Sequence, residues 1–93
     1  MRTIILSTQY KKDLKLARKR NLPENELNRV VFNLANDIEL EPRHHDHELT
    51  NNYRGFRECH IRPDWLLMYR KTDNDELHIL ELVRTGSHSD LFG

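Results

Sequence analysis

The residues of this chain best suited to chemistry are its histidines. There are six, His44, His45, His47, His60, His78 and His88, against a single cysteine, Cys59. Asp46 and Asp64 stand close to them in sequence, with Arg54, Arg57, Arg62 and Arg84 around them. Imidazole takes up and releases protons near neutral pH. Joined to a carboxylate and a guanidinium, it suits cleavage of RNA by acid–base catalysis without a metal. RNA carries its own nucleophile, the 2′-hydroxyl beside the scissile phosphate. An enzyme has to deprotonate that hydroxyl, protonate the departing 5′-oxygen and neutralise charge on the phosphorane. A metal site is the competing use of the same side chains. The spacing argues against it, because His44, His45, Asp46 and His47 are consecutive and no His-x3-His on a helix supports them. There is no Walker loop, GxGxxG, CxxC or HExxH, so neither a metal nor another cofactor is expected. His44, His45 and His78 read as ordinary surface or strand residues.

These residues need elements to position them. Residues 2–7 are rich in β-branched side chains and read as a short strand. From Thr8 to about Arg20, Tyr10, Leu14 and Ala17 recur at helical spacing and cations cover the remaining surface. Asn21-Leu22-Pro23 breaks that helix. Leu27, Val30, Val31, Leu34, Ala35 and Ile38 then follow one helical face, which predicts a second helix over 23–38. Residues 39–52 are polar and irregular, with a short strand near Glu48-Leu49. Strands are expected over 53–61, 65–70 and 77–84, with turns between them. The tail, 87–93, has room for one helical turn. The order β-α-α-β-β-β predicts one two-layer α+β domain over residues 1–93, both helices lying on one face of an antiparallel sheet. The other face stays partly open, since 93 residues cannot cover both.

Length and composition narrow the classes further. No run of about 18 apolar residues could cross a membrane. The first residues turn polar too soon for a signal peptide. One cysteine fits a reducing, cytoplasmic setting. The formal net charge is zero, from 15 Lys+Arg and 15 Asp+Glu. That zero is a cancellation. Residues 1–22 carry +6, residues 23–51 carry −5 and residues 52–93 carry −1. A basic stripe can attract phosphates whatever the total, because salt screens charge beyond about 8–10 Å.

The chain also resembles a known family over essentially its whole length. Tyr10-Lys11-Lys12-Asp13-Leu14-Lys15-Leu16-Ala17, Asp46-His47-Glu48-Leu49 and the stretch from Tyr53-Arg54-Gly55 through His60 to Pro63-Asp64-Trp65 are similar to segments of the YafQ family. So are Arg84-Thr85-Gly86-Ser87-His88 and the terminal Leu91-Phe92-Gly93. This family lies within the RelE/ParE superfamily of type II toxin–antitoxin systems. The resemblance implies a RelE-like fold and an mRNA interferase that cleaves messenger RNA in the ribosomal decoding site. A cognate antitoxin would hold it inactive, and operator DNA would be reached only through that complex, which represses the operon. It implies catalytic positions at His47, His60, Asp64 and His88, with Phe92 helping to place the substrate. Arg57 and Arg84 are expected to bind phosphate, from their charge and their place beside the motifs. Trp65 is a candidate for stacking on a base. Two residues depart from the family pattern, Glu48 for Pro and Glu58 for Asp. The alternative is a ParE-type toxin that is no nuclease, or a non-catalytic binding module on the same fold; that branch lacks the His/Asp set.

Overall fold

The chain passes from strand to helix at Ser7. Its hydroxyl accepts the Tyr10 N–H at 2.9 Å and donates to the Val83 carbonyl at 2.7 Å. One side chain thus caps the first helix and seats it beside the last strand. The computed structural model describes residues 1–93. Its elements are β1 (Thr3–Leu6), α1 (Thr8–Lys19), α2 (Glu24–Ala35), β2 (His47–Glu48), β3 (Arg57–Arg62), β4 (Trp65–Asp73), β5 (His78–Gly86) and α3 (His88–Phe92). Two 3₁₀ turns, Pro42–His44 and Asn51–Tyr53, interrupt the long polar segment.

The helices bury the stripes their periodicity marked: Tyr10 and Ala17 from α1; Leu27, Val30, Leu34 and Ala35 from α2. α2 ends three residues earlier than its apolar pattern suggests. Asp37 takes a left-handed conformation with φ 56° and the Ile38 N–H closes back onto the Asn33 carbonyl at 2.8 Å. Ile38 therefore leaves the stripe and is exposed. The strand expected from residue 53 begins only at Arg57. Asn51–Tyr53 takes a 3₁₀ turn instead, and Gly55 sits at φ 96°, where side chains are strained.

The sheet has five strands in the order β1-β5-β4-β3-β2. It is the expected antiparallel sheet with one parallel pairing, at its β1 edge. β1 pairs parallel with β5, Ile4 opposite Leu80 and Leu6 opposite Leu82. Both helices intervene before the meander, so β1 is returned to β5 by a long crossover rather than a hairpin. Side chains alternate across the sheet. Cys59, Ile61, Trp65, Leu67, Tyr69, Leu80 and Leu82 join the helix residues in one core cluster. Glu58, His60, Leu66 and Met68 take the opposite phase and lie outside that cluster. The site is built on this second face.

Candidate active site

β2 is only two residues long, and its register decides what it presents. His47 pairs with Glu58 and Glu48 with Arg57. Directly opposed residues share a face, so the His47 ring meets Glu58. His60, two residues further along β3, lies on that face as well. The His47 Nδ1 donates to the His45 carbonyl at 2.6 Å, and the His60 Nδ1 donates to the Pro63 carbonyl at 3.2 Å. A carbonyl can only accept, so both rings are held with the proton on Nδ1 and Nε2 left as the working nitrogen. Both Nε2 atoms turn toward one oxygen, Glu58 Oε1, at 3.6 Å and 3.9 Å. The other oxygen, Oε2, is buried with no partner, and Glu58 as a whole is 4% exposed. Leaving a buried acceptor unpaired costs about 1–3 kcal/mol. His45, Asp46, His47 and His60 line an open cavity of about 610 Å³ in front of this carboxylate.

The two preceding histidines divide. His44 is not the surface residue its loop suggested. It is buried, and its Nδ1 donates to the His60 carbonyl at 2.6 Å, fastening the 3₁₀ turn beneath β3. His45 is exposed at φ 45°, its ring edge-on to His60 with centroids 5.5 Å apart. His78 is the exposed strand residue expected, at the start of β5, and its Nδ1 lies 2.7 Å from Asp73 Oδ1.

The tight turn after β3 links this cluster to a second one. Asp64 Oδ1 accepts the backbone N–H of His88 at 3.1 Å, which docks the start of α3. α3 is only five residues long, and a capping box holds it: Asp90 N–H to Ser87 Oγ at 3.1 Å, and Ser87 N–H to Asp90 Oδ2 at 2.8 Å. Arg20 adds a forked pair to Asp90 at 2.6 Å and 3.3 Å. The Arg20 guanidinium and then the Ser87 backbone hold the Asp90 carboxyl well below the usual carboxylate range. Gly86 makes this packing possible, because a Cβ there would stand 2.9 Å from Asp90 Oδ2. Phe92 packs edge-to-face on Tyr53 (5.4 Å) and tilted against His88 (5.1 Å).

The remaining expected site residues are placed differently. Arg84 donates to Asp13 at 2.9 Å and 3.3 Å, and Asp13 also accepts the Thr85 N–H at 3.1 Å. Those bonds, first among the causes, raise the Arg84 pKa, and the Asp90 carboxylate adds to them. Arg84 thus stands on the α3 side of the site. Trp65 does not offer a stacking surface. It is 2% exposed in the core, and its indole N–H donates to Thr85 Oγ1 at 3.0 Å. Arg57 lies on the other face of β3 from His60, engaged by Tyr69, Asp46 and Glu48. The structure therefore joins His47 with His60, and Asp64 with His88 and Phe92, but brings neither Trp65 nor Arg57 to them. Glu58 and Tyr53 belong to the site although motif reading did not select them. The signal for Glu58 was its phase: a carboxylate two residues from His60 on a strand must share its face. No group of three or more His, Cys, Asp or Glu side chains is arranged to hold a metal ion.

Fold and site together define a small α+β protein that gathers two imidazoles and a buried carboxylate on the sheet face away from its helices. A family model described as "Bacterial toxin of type II toxin-antitoxin system, YafQ" matches residues 2–93, and the chain belongs to that family. It is 41% identical over 93 residues to the mRNA interferase toxin YafQ of Escherichia coli K12, covering 99% of this chain and 97% of that protein. The crystal structure of YafQ from E. coli BL21(DE3) superposes with a TM-score of 0.90 at 38% identity over the whole of both chains. The toxin in the E. coli DinJ–YafQ toxin–antitoxin complex superposes with a TM-score of 0.85 at 41% identity, covering 99% of this chain and 98% of that one.

Proposed function

We propose that the chain is an mRNA interferase: an endoribonuclease that cuts messenger RNA on the ribosome and so stops translation. The observation that carries this is the pair of imidazoles, each with Nδ1 fixed on a carbonyl and Nε2 turned to one buried carboxylate at the mouth of an open cavity. The 2′-hydroxyl attacks the adjacent phosphorus in line. One imidazole takes its proton, another protonates the departing 5′-oxygen, and the products are a 2′,3′-cyclic phosphate and a 5′-hydroxyl. His60 and His88 are assigned to the proton transfers. His47 contacts the substrate and, with Glu58, fixes the His60 ring. Asp64 acts on His88 through the backbone N–H it accepts. Arg84, oriented by Asp13, supplies charge for the phosphorane, and Phe92 with Tyr53 forms the wall beside His88.

The chemistry needs no metal ion from the protein. Its cognate partner is an antitoxin, by likeness to the toxin found in complex with DinJ. In that complex the pair would repress its own operon, and a ribosomal substrate places the work in the cytoplasm. The test is cleavage of a defined message on 70S ribosomes by chain treated with chelator and then desalted. The expected ends are cyclic phosphate and 5′-hydroxyl, and a 2′-deoxy nucleotide at the cut site abolishes cleavage. Products ending in 3′-hydroxyl and 5′-phosphate, or cleavage of the deoxy message, sink the mechanism.

A further inference from the structure

Asp46 precedes His47 at the sheet edge, and although it borders the same cavity its carboxylate turns to the opposite face. There the Tyr69 hydroxyl donates to Asp46 Oδ1 at 2.5 Å. The Arg57 Nε donates to Tyr69 Oη at 3.2 Å and reaches Asp46 Oδ1 at 3.4 Å, while its Nη1 lies 3.6 Å from Glu48. Tyr69 is 1% exposed and belongs to the core. Burial, and next the Asp46 carboxylate, hold its hydroxyl protonated, so it stays a donor. The residues on both sides of His47 are therefore tied to the far face of the sheet.

His47 needs such a tie. β2 is an edge strand with two register pairs, and its neighbour His45 is left-handed. A two-residue edge strand is too short to fix a side chain by its ladder alone. A core side chain reaching out to the loop supplies what the ladder lacks, a rigid support behind a working group.

We propose that Tyr69, Asp46 and Arg57 form a positioning clamp that holds the His47 imidazole against Glu58. Arg57 then acts as a fastener on the back of the sheet rather than as a phosphate ligand on its front. None of the three touches substrate; all act through His47. The proposal rests on the RNase reading for its effect on rate, but the placement of His47 is a property of the free protein.

Two measurements on the full-length chain test it. In single-turnover cleavage on 70S ribosomes programmed with a defined message, Tyr69→Phe lowers the maximal rate about tenfold to hundredfold. The half-saturating concentration stays within about twofold, since no substrate contact is lost. Arg57→Gln behaves the same way, and the double substitution costs little more than the worse single one, as expected of one unit. In ¹⁵N NMR of the free chain, His47 shows a single Nδ1-protonated tautomer that becomes a mixture in Tyr69→Phe, with the core amide signals unchanged. An unaltered His47 spectrum in the folded variant overturns the clamp. So does an Arg57→Gln defect confined to half-saturation and its salt dependence, which is the behaviour of a phosphate ligand. A wild-type chain that cuts no message refutes the RNase reading instead, and the His47 spectrum still decides the clamp.

Discussion

Glu58 is the residue around which the site turns. A carboxylate with one oxygen facing two imidazoles and the other buried without a partner is expensive to keep. Nothing in the packing of β3 requires it, since an apolar side chain would fill the volume. Its use lies in stabilising whichever of the two rings takes a second proton on Nε2 at this place. Glu58→Gln keeps the shape and removes the charge. The expected outcome is a maximal cleavage rate lower by about tenfold to hundredfold with a melting temperature unchanged or higher. Glu58→Asp keeps the charge one methylene further back and retains more activity than Gln. Single-turnover rates beside thermal melts decide this, and rate and stability falling in proportion would show a merely structural residue. Trp65 gives the opposite case. Trp65→Phe gives up the bond to Thr85 Oγ1 and part of the core, costing about 1–3 kcal/mol. Activity per folded molecule is expected to hold. A raised half-saturating concentration at full foldedness would instead mean that the indole meets a base.

At the scale of elements, α3 is the vulnerable part. Five residues cannot sustain a helix, so the attachments of α3 decide whether His88 and Phe92 are in place. Those attachments are Ser87, Asp90, Arg20 and Asp64. Ser87→Ala removes a cap worth about 1 kcal/mol. Its effect is expected to be local: faster hydrogen exchange at the amides of 88–92 and slower cleavage, with the global melting temperature barely moved. Acid acts on the same contacts. The Asp90 carboxyl is held below its ordinary value in the folded chain. Its contribution is complete above the unfolded value of about 3.9 and is lost as pH falls through the depressed folded one. Asp37, lowered to about 2 by Lys71 and Arg2, follows the same sign at the other end of the sheet. Below about pH 4, α3 is therefore expected to loosen before the core does, read as loss of the Tyr53–Phe92 ring contact in NMR while the far-UV signal persists. The sequence located these elements unevenly. The α2 stripe was legible because burial follows period 3.6, but its end was not, since Asp37 turns left-handed against the apolar pattern. Arg57 was expected to bind phosphate from its charge and its place beside the motif residues, yet three residues separate it from His60, and an odd spacing along β3 puts the two on opposite faces. Proximity in sequence to His60 by itself said nothing about which side of the sheet Arg57 would take.

For the whole molecule, the net charge of zero conceals a polarity that the fold preserves. α1 displays Lys11, Lys12, Lys15 and Lys19 in solvent, and none of them forms an ion pair in the structure. The other two α1 cations are spoken for, Arg18 by Glu24 and the capping residue Arg20 by Asp90. Acid pairing is thus concentrated on cations that build the fold, and four lysines along one helix are left over. The sequence revealed this imbalance through its segment charges, although it could not say which cations would be consumed internally. A ribosome presents a dense array of phosphates, and each cation that meets one releases counterions on binding, giving about 0.7–0.9 of a log unit in affinity per log unit of salt. Replacing Lys11, Lys12, Lys15 and Lys19 with Gln leaves the active face and the internal ion pairs intact. The half-saturating ribosome concentration is expected to rise at low salt, and its salt dependence to flatten by about one to three units of slope. The maximal cleavage rate at saturation should stay at the wild-type level, because no group near the imidazoles has changed. A flatter slope with an unchanged maximal rate assigns α1 to docking. A slope identical to that of the wild type moves the ribosome contact to another surface, and a fall in maximal rate alone would mean that α1 supports the site rather than its substrate.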